Sequence, residues 1–110
     1  MHIEEKENYT LISSEKLKFT DFLAIFEEKH TDLKEKHLII QLSESLNTTE
    51  DELFVFLKYA EQHQQNGTSF VVIKENIDVD KFPEWFNIVP TLVEAIDVFE
   101  MEEIQRDLGF

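Results

Sequence analysis

A chain of 110 residues, 42% apolar and 12% aromatic, is long enough for one domain around one core. The absence of cysteine excludes a disulfide framework and thiolate chemistry. A net charge of −14 argues against nucleic acid as a partner, because such a surface repels phosphate backbones.

The charge is uneven. Residues 1–40 carry nine acids against six bases, and residues 41–110 carry fifteen against four. The apolar runs fall well short of a membrane span of ~20 residues. The N-terminus is acidic, unlike a basic-then-apolar signal peptide. The expectation is a soluble cytoplasmic protein forming a single domain over residues 1–110.

In chain order, Met1 to Glu7 reads as a flexible acidic leader. Asn8 to Ser13, with Tyr9, Thr10, Leu11 and Ile12, reads as a strand. Phe19, Phe22, Leu23 and Phe26 recur at helical spacing and predict a helix over 19–33, capped by Thr20 or Asp21. Leu38 to Leu42 is apolar without alternation, the pattern of a strand covered on both faces.

A second helix is expected from about Thr49 to the stop at Asn66-Gly67, with Leu53, Phe56, Leu57 and Ala60 on its inner stripe. Phe70 to Ile73 reads as another buried strand. Pro83 introduces a single helical turn, and Asn87 to Val89 a short last strand. Thr91 and Glu94 have capping-box spacing ahead of Leu92, Ala95, Ile96 and Phe99. Met101 to Leu108 continues this helix or forms a second short one, and Gly109 reads as its left-handed stop. Met101, Ile104, Leu108 and Phe110 form an apolar patch that either docks on the domain, the favoured expectation, or serves as an acidic, apolar hook for another protein. The order predicts an α/β fold: a small mixed sheet of about four strands with helices packed on it. The Leu38–Leu42 and Phe70–Ile73 strands should be parallel neighbours.

Chemistry-bearing motifs are sparse. His2, His30, His37 and His63 show no metal-ligand spacing. Ser43 and Ser45 follow a strand without a flanking glycine, and no glycine-rich loop is present. The expectation is a non-enzyme with no metal and no cofactor. The one pointed constellation is Asn47-Thr48-Thr49-Glu50-Asp51 with Glu52. It fits a plain helix start, in which Thr49 caps and Glu52 reaches back, or Asn47 or Thr48 caps with Glu50 or Asp51 as partner, while the acids suit the helix dipole. It also fits a partner-binding site at the strand-loop-helix junction.

The strand-loop-helix of Leu38 to Ala60, the following Gly67 to Ile73, and Phe86-Asn87-Ile88-Val89-Pro90-Thr91-Leu92-Val93-Glu94-Ala95 together resemble a STAS domain, the fold of anti-sigma factor antagonists. Val89 to Phe110 is similar to the ends of small uncharacterised bacterial STAS-like proteins, which run VPTL…MEEI-x-RDLGF. Some of these are labelled ribonuclease Z, an enzyme whose HxHxDH metal motif is missing here. The resemblance places the family's phosphorylatable hydroxyl on Thr49. Asn47 stands where the family has Asp, and Glu50 where it has Gly.

Two functions follow as expectations. The first is a regulatory protein-interaction module that binds a basic partner through the loop and first turn of helix two. The resemblance implies an anti-sigma factor or a regulatory kinase as that partner. The second is a small-molecule or lipid carrier whose phenylalanines line an apolar pocket.

Overall fold

The computed structural model of the chain describes residues 1–43 and 48–109. Five strands form one sheet in the order β1-β2-β3-β4-β5: β1 (His2–Glu5), β2 (Thr10–Ser13), β3 (Leu38–Gln41), β4 (Phe70–Ile73) and β5 (Asn87–Val89). β1 is antiparallel to β2, and every later pairing is parallel. The expected parallel pairing of β3 with β4 is present, in the register Leu38 to Phe70 through Gln41 to Ile73.

β1 corrects two expectations at once. The sheet has five strands instead of about four, and the segment read as a leader supplies the fifth. A turn closed by the Lys6 N–H on the Tyr9 carbonyl returns the chain alongside β2, and Ile3 packs against the core. Backbone pairing, more than side-chain burial, makes this strand.

Among the described residues four α-helices alternate with the strands: α1 (Phe19–Leu33) after β2, α2 (Glu50–Leu53) and α3 (Leu57–Asn66) after β3, and α4 (Leu92–Asp107) after β5. The expected single second helix is divided. Phe54–Phe56 forms a 3-10 turn between α2 and α3, and this tighter winding turns Phe56 fully inward. α3 ends at Gly67, whose φ of +77° suits a residue without Cβ. α1 starts after Lys18 with no side-chain cap, so neither Thr20 nor Asp21 plays that part. A 3-10 turn at Val79–Lys81 and a tight turn closed by the Phe86 N–H on the Pro83 carbonyl replace the expected helical turn at Pro83.

Alternation along the strands sorts side chains into two layers. Ile12, Leu38, Ile40, Phe70, Val72 and Ile88 face α1, α2 and α3. Leu11, Ile39, Val71 and Ile73 face α4 through Ala95, Leu92 and Ile96. The first layer is aromatic. Phe26 meets Phe56 edge-on at 5.7 Å and Tyr59 at 5.0 Å, and Phe19 meets Phe56 at 5.9 Å. The phenylalanines that a carrier would use as pocket wall here pack on one another.

Among the described residues no helix is long and apolar enough to cross a membrane.

Candidate functional site

The carboxyl end of β3 leads into α2, where the sequence places its candidate residues. Thr49 is exposed and has extended backbone, and it caps α2. Its hydroxyl accepts from the Glu52 N–H at 3.1 Å, and the Glu52 carboxylate accepts from the Thr49 N–H at 3.0 Å. The same carboxylate accepts from the Thr49 hydroxyl at 3.2 Å. This reciprocal box satisfies two backbone donors left over at the helix start. The cap is therefore the structural role of Thr49, as its spacing predicts.

Thr48, the preceding residue, is buried. Among the described residues, Thr48 Oγ1 and Glu50 Oε2 are buried side-chain atoms without a hydrogen-bond partner, a condition that costs stability. Asp51 is exposed in the first turn beside Glu50 and Glu52. Asn47 lies outside the described residues.

Spacing does not reveal what stands beside this turn. Lys81 Nζ reaches Glu50 Oε1 at 3.3 Å, across 31 residues of sequence. Phe54 packs on Phe82 with ring centroids 4.7 Å apart. The 3-10 turn of Val79–Lys81 is thus held against α2, and Phe54 (37% exposed) and Val79 (52%) remain open to solvent. Asp78 caps that turn by accepting from the Asp80 N–H. The result is a surface with two exposed apolar side chains among the carboxylates of Glu50, Asp51, Asp78 and Asp80.

A second polar group lies at the opposite end of the strands, before the starts of β3 and β4. The Ser69 N–H donates to His37 Nδ1 at 3.0 Å. The Ser69 hydroxyl donates to Glu102 at 2.6 Å and accepts from Arg106 at 3.0 Å. Asn87 donates to the other Glu102 oxygen at 3.0 Å, and Arg106 also holds Glu103 at 2.6 Å. The Arg106 hydrogen bond keeps the Glu103 carboxyl below the usual range. Burial lowers His37 despite the nearby Glu103. A cleft of about 230 Å³ opens beside this group, between Trp85, Gln64, Gln105 and Arg106. The charged groups there are already paired with one another, so the network clamps α4 to the sheet.

At this same end, on the side of α1 and α3, His30 and His63 meet in the core with 2.9 Å between their Nε2 atoms. The Thr68 hydroxyl donates to the His63 carbonyl, so it accepts from Nδ1–H of the same histidine at 2.8 Å. That leaves His63 Nε2 as acceptor and His30 Nε2–H as donor. Burial is the main cause lowering both, and His63 falls to about 4. This pair escapes a search for ligand spacing within one helix. Its signal is a histidine on the apolar stripe of each of two helices: His30 after Phe22 and Phe26, and His63 after Phe56 and Tyr59. Among the described residues no cluster of three or more His, Asp or Glu could hold a metal ion.

No protein-family model matches the chain, and no curated protein matches it.

Proposed function

We propose that the chain is a non-enzymatic, cytoplasmic protein-interaction module that binds a basic partner through the β3–α2 loop and the first turn of α2. The observation that carries the reading is the pairing of an anionic, doubly capped first turn with the exposed Phe54 and Val79. A capped turn presents its groups in one geometry, which reduces the ordering cost on binding. The carboxylates steer a cationic partner, and a half-buried aromatic side chain can anchor it. The STAS resemblance adds a regulatory setting, with an anti-sigma factor or regulatory kinase as the partner. Thr49 is exposed, so a kinase could reach it. Phosphorylation there would take the hydroxyl out of the box and set a phosphate beside three carboxylates.

Affinity capture with the wild type and with Phe54→Ser, Asp51→Lys and Val79→Ser variants tests the proposal. The expected result is a protein retained by the wild type and lost by the variants, with circular dichroism unchanged and thermal melts showing each variant still folded at the temperature of the capture. A partner retained equally by all four proteins would move the binding surface elsewhere.

A further inference from the structure

We propose that the outward face of α4 seats a basic amphipathic helix of another protein. Val93, Met101, Ile104 and Leu108 are 71%, 58%, 55% and 67% exposed. At 3.6 residues per turn these four fall within an arc of about 80°. They form a stripe roughly 22 Å long at 1.5 Å per residue, interrupted on its midline by the exposed carboxylate of Asp97. The buried Ala95 and Phe99 lie on the far side of the same helix. α4 is therefore apolar on two sides, one packed on the sheet and one open.

The open side cannot roll inward. Glu102 is held by Ser69 and Asn87, and Arg106 by Ser69, which fixes the rotation of the helix. An exposed apolar stripe of this length is the surface against which another helix packs.

Charge selects the occupant. Glu94, Asp97, Glu100 and Asp107 are exposed along or beside the stripe, and Arg106, the one base in α4, is turned to the sheet. A second copy laid on this face would bring carboxylates against carboxylates with no cation between them. A helix with leucine-like residues on one side and Lys or Arg flanking them satisfies both the stripe and its rim. This surface is separate from the one around α2 and does not depend on it.

The test uses a synthetic amphipathic Leu/Lys peptide of about 18 residues, long enough to cover the stripe, with fluorescence anisotropy as readout. The triple variant Met101→Gln, Ile104→Gln, Leu108→Gln keeps the charge and should weaken binding by at least about tenfold. Asp97→Lys with Glu100→Lys should weaken it similarly, and Phe54→Ser should leave it unchanged. Equal binding by wild type and the triple variant would show attraction to net charge alone and overturn the proposal. So would a wild-type dimer in sedimentation that the triple variant abolishes, because the occupant would then be a second copy.

Discussion

His30 and His63 share one hydrogen bond of 2.9 Å in the core, tying α1 to α3. Both rings are buried, and the pair holds a single proton between its two Nε2 atoms when neutral. A second proton there would make His63 a cation out of water and set two N–H groups facing each other with no acceptor between them. Burial is the first cause that lowers each pKa. The charge of the neighbouring His30 lowers His63 further, and a backbone interaction at Lys36 works against this.

Stability should therefore fall with acid in a defined window. An unfolded histidine titrates near 6.5, and the folded His63 near 4. Above pH 6.5 both states are neutral and the pair contributes fully. Between about 6.5 and 4 the unfolded chain takes up protons that the folded chain refuses, so stability drops as pH falls. At 1.36 kcal/mol per unit, His63 accounts for a loss on the order of 3 kcal/mol. The double variant His30→Leu, His63→Leu should lack this loss. Urea unfolding at pH 7 and pH 5 should show the wild type losing more stability than the variant. Both proteins share the same carboxylates, so equal losses would remove the pair as the cause.

Thr49→Ala should cost about 1 kcal/mol, the usual effect of removing a hydroxyl cap. Thr49→Asp should cost only a fraction of that, because a carboxylate also accepts from the Glu52 N–H. α2 is a single turn, so the loss should be local. Hydrogen exchange at the Leu53 amide, which bonds the Thr49 carbonyl at 3.1 Å, should speed up in the alanine variant and stay slow in the aspartate variant.

Phe56 is fully buried where Phe19, Phe22, Phe26 and Phe70 converge. Phe56→Ala should cost roughly 3–5 kcal/mol in chemical denaturation. Phe54, two residues earlier on the same turn but half open, should cost far less as Phe54→Ser. The contrast tests whether the 3-10 turn sets which phenylalanine serves the core.

β3 and β4 were legible because Leu38–Leu42 and Phe70–Ile73 are uninterrupted apolar runs, and a strand covered on both faces needs little else. The Thr49 cap was legible because its partner Glu52 is three residues away. β1 was not, since His-Ile-Glu-Glu has one apolar side chain and becomes a strand only by pairing with β2. The break in the second helix was also hidden, because Phe54, Val55 and Phe56 differ in burial only through the neighbours they meet in space. For the same reason the Glu50–Lys81 link and the His30–His63 pair, 31 and 33 residues apart, had no local signature. The α4 patch is legible in the sequence, but of its two expected environments the favoured one, docked on the domain, is not what the described residues show. The left-handed Gly109 ends the helix as expected, and Phe110 lies outside the described residues. Met101, Ile104 and Leu108 nevertheless stay exposed, because Phe99 and Ala95 already occupy the sheet side.

That division of α4 gives the last prediction. Polar ties hold its second half to the sheet. Glu102 accepts from Ser69, which is almost fully buried, and from Asn87. Glu102→Ala would leave the Ser69 hydroxyl without its acceptor and the Asn87 amide unpaired. Stranding such groups costs about 1–3 kcal/mol. Leu108→Gln changes a side chain that touches mainly water and should stay within about 0.5 kcal/mol of the wild type. Urea unfolding of the two variants separates the possibilities. If Leu108→Gln proved the more damaging change, the apolar patch would be docked after all and the polar clamp incidental. If Glu102→Ala is the damaging one, the carboxylate holds α4 to the sheet and the outward stripe contributes nothing to the fold of the isolated chain.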